Sequence, residues 1–218
     1  MNPFVAALLK AGDVCLLYPF HRIIHHQHVH NKSFVRTFKT ITRHQNLKNL
    51  YKGLGLHVAQ SSINRYTDVM IYNHFNTSNE AILLSSCFKF FTYPLHTSEV
   101  YYQLNNKYPK KFGHFYNGYI AFAITNTCSY YIWWTSIKFN NSQFEEFKTV
   151  YPKTHKVVSG FISGFVVDIC VHPLRVLKTN LQNQSANVFN LKFFAYRGFG
   201  AKLILSGIQS AIFNLSLK

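Results

Sequence analysis

Two short marks recur three times in this 218-residue chain, always in the same order, and together they constrain the fold more than any other feature. The first is a proline inside an otherwise apolar run: YPFHRIIHHQ with Pro19, FTYPLHTSEVYYQ with Pro94 and CVHPLRVLKTNLQ with Pro173. The second follows as an aromatic residue, a variable residue and a glycine: NLYKGLG at Gly53, HFYNGYI at Gly118 and AYRGFGA at Gly198. Repetition of this kind marks an array of like units. Each unit reads as a helix kinked at its proline, which removes a backbone hydrogen bond, then a basic amphipathic loop, the glycine turn and a second helix. The units run 1–77, 78–141 and 142–218.

Six apolar stretches result, roughly 4–27, 55–77, 80–104, 119–140, 155–182 and 199–217. Each reaches about the 20 residues that cross a bilayer. The mean hydropathy of −0.03 is low for a membrane protein. Ser, Thr, Asn and His within the stretches account for it if one face of each helix lines a wet interior. The expected fold is therefore an all-α membrane protein of six transmembrane helices in three pairs. Short amphipathic helices lie between the members of each pair, as NKSFVRTFKTITRHQNLKNL illustrates with Phe34, Phe38, Ile41 and Leu47 set among bases.

Lys and Arg number 23 against 7 acids, a formal net charge of +16. Such a chain suits an anionic surface, either nucleic acid or phospholipid, and the distribution of charge decides between them. Segment 28–53 carries Lys32, Arg36, Lys39, Arg43, Lys48 and Lys52 with no acid; 105–118 adds Lys107, Lys110 and Lys111; 183–198 adds Lys192 and Arg197. The opposite connections hold Glu80, Glu145 and Glu146 against Lys148 and Lys153. This is a positive-inside pattern with both termini on the other side, and together with six spans it argues against nucleic acid as partner.

The four cysteines lie far apart in apolar stretches and read as buried free thiols. The N-terminal run lacks a basic leader and contains Lys10 and Asp13, so it reads as mature structure rather than a signal peptide. HRIIHHQHVHN offers the helical pairs His21/His25 and His26/His30. With no acid or cysteine nearby they read as an interfacial helix end, and no metal is assigned. GxSxG, P-loop and dinucleotide-binding patterns are absent. No enzymatic role and no cofactor is expected.

On these marks the chain resembles the mitochondrial carrier family. The match is closest over VVSGFISGFVVDICVHPLRVLKTNLQ (157–182) and YRGFGAKLILSGIQSAIF, where Gly160 and Gly164 fit a small-residue helix-packing pattern. The corresponding residues are Ala81 and Ser85 in the second unit and Ala6 and Lys10 in the first. The resemblance implies a mitochondrial inner-membrane location with both termini on the intermembrane-space side. It also implies that Pro19, Pro94 and Pro173 bend three helices to close a central cavity from the matrix side. A helix N-terminus binds phosphate and basic matrix-side pockets hold cardiolipin. Lys52, Gly53, Asn117, Gly118, Arg197 and Gly198 are thus the expected sites for this lipid.

Departures from the family pattern bear on function. The gate acid and base, second and fifth after each proline, are His21 and Ile24, then His96 and Glu99, then Arg175 and Lys178. Glu99 is left to pair with Arg175 or Lys178, a single bridge at most. The opposite gate falls at Tyr72, Asn73 and Asn76, then Lys138 and Asn141, and no acid occurs at these positions. Substrate positions fall at Gln60, Thr125, Asn126, Leu205 and Ser206, without an arginine, which favours a neutral or hydrogen-bonding ligand. Alternating access needs two states of similar free energy, each held by its own contacts. A chain without the charge rings is expected to hold one conformation. The expected role is that of a structural or accessory subunit of a larger inner-membrane assembly such as a respiratory complex. It would dock through bound lipid and through the aromatic doublets at 90–91, 101–102, 130–131 and 133–134. The alternative is a divergent but active solute carrier using Gln60, Asn126, His96 and Arg175.

Overall fold

The computed structural model describes residues 2–30, 32–43, 46–75, 79–183 and 198–216, and among them only helices and turns occur. Six long helices fall on the six apolar stretches: α1 (Pro3–His30), α3 (Leu54–Phe75), α4 (Asn79–Asn105), α5 (Tyr119–Gln143), α7 (Pro152–Gln182) and α8 (Phe199–Ser216). Two short ones, α2 (Phe34–Ile41) and α6 (Glu145–Val150), lie in connections. Ser33 caps α2 by accepting the Arg36 backbone N–H at 3.4 Å. The long helices pack in chain order, α1 on α3, α3 on α4, α4 on α5, α5 on α7 and α7 on α8; α8 then returns to α1. Within this closed ring α1, α4 and α7 also touch one another. These are the three helices that contain Pro19, Pro94 and Pro173, and each runs through its proline.

The two sequence marks meet in space. Gly53, Gly118 and Gly198 all adopt left-handed backbone (φ 86°, 78° and 69°) just before α3, α5 and α8. A side chain is strained there, and glycine is not. Tyr18, the residue before Pro19, donates its hydroxyl to the Lys52 carbonyl at 2.7 Å; Tyr93, before Pro94, donates to the Asn117 carbonyl at 2.6 Å. Each proline helix is thereby tied to the turn that opens its partner. A Cβ on Gly118 would lie 3.0 Å from Leu181 Cβ of α7, and one on Gly198 would lie 3.2 Å from Gln27 of α1. The end of one unit's proline helix therefore sits against the glycine turn of another.

Among the described residues, two helices are long and apolar enough to cross a bilayer, α1 and α7, whose most apolar 18-residue windows have mean hydropathy 1.4 and 1.7. Six were expected. In α8 the apolar stretch Phe199–Ile212 is shorter than a span, and in α4 the inward face is polar. On α4, Ser85, Ser86, Lys89, Thr92, His96, Thr97, Glu99 and Gln103 are buried, while Leu83, Leu84, Phe88 and Phe91 are exposed, Phe91 at 73 %. α1 likewise turns Phe4, Leu8, Leu9 and Leu16 outward. The buried apolar residues gather in small clusters, Trp133, Ile137, Val167 and Val171 between α5 and α7, and Ile23, Ile41 and Leu50 near α2. The interior buries polar side chains alongside apolar ones while many large apolar side chains face outward, a partial reversal of the usual sorting.

That reversal corrects one reading and narrows another. Cys15, Cys87 and Cys170 are exposed and Cys128 is half-buried, all as free thiols, because the apolar face of each stretch points out of the ring. The aromatic doublets divide: Phe90 and Phe91 both face outward, whereas Tyr130–Tyr131 and Trp133–Trp134 do so only in part. Adjacent helical residues are about 100° apart, so Tyr131 faces out at 58 % exposure while Trp133 is buried against α7.

α7 and α8 form the closest pairing. A Cβ on Gly164 would fall 2.7 Å from the Ser206 carbonyl oxygen, and one on Gly207 2.6 Å from the Phe161 ring. Ala6, Ala81 and Gly160 are buried as the small-residue pattern anticipated. Gly164→Val is expected to force the two helices apart and cost about 1–3 kcal/mol, the usual penalty of overpacking. Thermal unfolding in detergent measures it, and a midpoint equal to that of the parent would rule out the tight crossing.

Candidate functional site

The sealed end lies where α1, α4 and α7 converge. At its centre Glu99 is wholly buried. Its Oε2 receives His57 Nδ1 at 2.8 Å and His96 Nδ1 at 3.3 Å, and its Oε1 accepts Gln103 Nε2 at 2.6 Å. Gln103 also donates to the Tyr18 hydroxyl at 2.6 Å, its Oε1 meets His25 Nδ1 at 2.7 Å, and its backbone carbonyl is approached by Arg22 at 3.3 Å and His26 at 3.2 Å. These contacts join α1 to α4. Between α4 and α7, Lys178 Nζ lies 2.9 Å from His96 Nε2 and Gln182 reaches Thr97 at 3.5 Å. Between α7 and α1, His28 Nδ1 meets the Thr179 hydroxyl at 3.2 Å and Asn180 donates to the His28 carbonyl at 3.3 Å.

Glu99 therefore does not pair with Arg175 or Lys178, as the sequence suggested. His57 from α3 reaches it first, and Arg175 turns back along its own helix to Asp168. The His21 ring lies tilted against the His57 ring, centroids 4.9 Å apart, and meets Gln209 at 3.1 Å, while Ile24 is buried. The gate positions are thus brought together, with imidazole and amide groups filling most of the places where ion pairs were sought.

Next to the sealed end is a cavity of about 310 Å³. Lys10, Arg65, Arg175, Lys178 and Lys202 line it, and no acidic side chain does. Thr125, Asn126 and Ser206 also line it, as expected, whereas Gln60 and Leu205 are buried elsewhere. The Nδ2 of Asn126 has no hydrogen-bond partner. The sequence reading sought cations only at fixed positions along the second helix of each unit and found none. The five come instead from α1, α3, α7 and α8, so the preference for a neutral ligand does not fit this cavity. Two are partly neutralised, Lys10 by Asp13 at 2.5 Å and Arg175 by Asp168.

A second buried network joins α3, α4 and α5. Asp68 accepts hydrogen bonds from Ser85 and Tyr130 and pairs with Lys89 at 3.0 Å. Lys89 in turn donates to Ser85 at 3.1 Å and to Tyr130 at 2.9 Å. Of the opposite-gate residues, Tyr72 packs on Tyr130 and Trp134, and Lys138 is exposed. Asn76, Lys192 and Arg197 lie outside the described residues. At the lipid positions Lys52 donates to Asn106 at 2.7 Å beside the Gly53 turn.

Sequence reasoning missed His57, Gln103, Tyr18, Tyr93, Asp68 and Lys89. One signal was present: the residue before each repeated proline is Tyr, Tyr or His, and Tyr18 and Tyr93 make equivalent bonds. No protein-family model matches this sequence, and no curated protein matches it either.

Proposed function

We propose that this chain is a carrier-like protein of the mitochondrial inner membrane that is held in one conformation and acts as a structural or accessory subunit of a larger inner-membrane assembly. The observation that carries this reading is the sealed end. A gate that must open and close depends on contacts that exchange easily between two states. Here buried hydrogen bonds among all three proline helices hold the end shut, and breaking them would leave Glu99, Gln103 and several imidazoles unsatisfied in a low-dielectric interior. The apolar outer surface suits lipid or neighbouring subunits, and the glycine turns beside Lys52 and Asn117 suit lipid phosphate. Native gel migration of gently solubilised mitochondria, with mass spectrometry of the band, tests it. Co-migration with a large complex is expected; recovery only as a free monomer would remove the structural role.

A second reading has its own observation. Five basic side chains and an unpartnered Asn126 amide around one cavity favour a small anion, so a divergent carrier of phosphate or carboxylate type stands in place of the neutral-solute alternative. A ligand raises the unfolding midpoint of the state it binds. Inorganic phosphate and di- and tricarboxylates added to the purified protein should then raise that midpoint in a concentration-dependent way. A flat response across the series would dispose of this reading.

A further inference from the structure

We infer that His57, His96 and Glu99 form a binding site for a divalent first-row transition-metal ion such as Zn²⁺ at the sealed end. The inference rests on neither functional reading above. Each of the three residues offers one ligand atom, all within 4.8 Å of one another, and all three residues are buried. His96 and Glu99 lie on one face of α4, three residues apart, and His57 reaches across from α3. Tetrahedral zinc bonds of about 2.0–2.2 Å place neighbouring ligand atoms roughly 3.3–3.6 Å apart. The present separations of 2.8 and 3.3 Å from Glu99 Oε2 need a shift of a few tenths of an ångström. Two imidazoles and a carboxylate suit zinc, cobalt or iron(II) rather than magnesium or calcium. Surrounding groups already orient the set, since Gln103 holds the other Glu99 oxygen at 2.6 Å, as outer-shell partners of metal ligands do.

The buried charges point the same way. Among the described residues Glu99 forms ion-pair contacts with His57 and His96 and none with Lys or Arg, and a buried carboxylate matched only by hydrogen-bond donors is costly. A dication between the three ligand atoms would take the place of the two Nδ1 protons aimed at Oε2. Each imidazole then carries its proton on Nε2 and remains neutral. At His96 this conflicts with Lys178, whose ammonium donates to that same Nε2 at 2.9 Å. Metal binding therefore displaces Lys178 from His96, and Lys178 already lines the cavity.

This competition supplies a test that does not depend on disrupting the site. The full chain, purified in detergent without a histidine tag and stripped with chelator, is titrated with Co²⁺ and then with Zn²⁺. One equivalent of Co²⁺ should give the intense visible bands of a four-coordinate ion and be displaced by Zn²⁺. His57→Ala and Glu99→Gln should weaken binding at least about tenfold, by analogy with losses in metal sites generally. A His26→Ala, His30→Ala double variant should bind as the parent does. Lys178→Met, which leaves all three ligands in place, should bind more tightly. Absence of a stoichiometric cobalt spectrum in the parent would overturn the inference. So would binding lost in the His26, His30 variant and kept in Glu99→Gln, or a Lys178→Met chain with unaltered affinity.

Discussion

Glu99→Ala is expected to be among the most damaging single substitutions, lowering the free energy of unfolding by about 3–5 kcal/mol, as three buried donors lose their acceptor at about 1–3 kcal/mol each. The side chain is wholly buried and holds groups from three helices: His57 of α3, His96 and Gln103 of its own α4, and, through Gln103, Tyr18 of α1. Alanine leaves those donors facing a void that nothing nearby fills. Glu99→Gln keeps the shape and one carbonyl acceptor, and should cost about 1–3 kcal/mol as charge-assisted hydrogen bonds become neutral ones. Chemical unfolding in detergent, followed by fluorescence of Trp133 and Trp134, reads both. If alanine cost no more than glutamine, Glu99 would not be the keystone of the sealed end.

A comparable loss is expected for Asp68→Ala, again about 3–5 kcal/mol, because Lys89 would remain buried without a counter-charge. Lys89 is 4 % exposed, and its remaining neighbours, Ser85 and the Tyr130 hydroxyl and ring, leave its charge uncompensated. Here the double variant is more informative than the single one. Asp68→Leu with Lys89→Met removes both charges at similar volume, and such replacements of buried pairs are often neutral or stabilising. Recovery of most of the lost stability in the double variant is therefore expected. A double variant as unstable as Asp68→Ala would mean that the hydrogen bonds of Ser85 and Tyr130 fix the register of α3, α4 and α5, and that the charge pair does not.

The two networks occupy different places in the ring. One joins the proline helices at the sealed end, and the other ties α3 and α5 to α4 alongside the cavity helices. In both, the central carboxylate has partners on each oxygen, and a carboxylate held in this way helps to specify one arrangement of the core. That is the physical content of the single-conformation reading.

How much was legible before the fold was known follows from how each feature is encoded. The all-helical class, the positions of the six long helices, the three interior prolines and the three glycine turns were readable directly, because each is a local property of a short stretch. Proline restricts its own φ, glycine alone enters the left-handed region without strain, and an apolar run of helical length is visible as such. The small residues at Gly164, Gly160, Ala81 and Ala6 were legible for the same reason. Which side chains meet was not. Glu99 was read against Arg175 and Lys178 by position along the chain, yet His57 lies on a neighbouring helix and reaches it first. The cations of the cavity come from four helices, so no single stretch announced them. The cysteines, and Trp133 among the aromatic doublets, were misplaced because an apolar stretch does not reveal which of its faces turns inward. Local backbone preference is written residue by residue; burial, ion pairing and cavity charge are set by helices distant in sequence, and those only the tertiary structure decided.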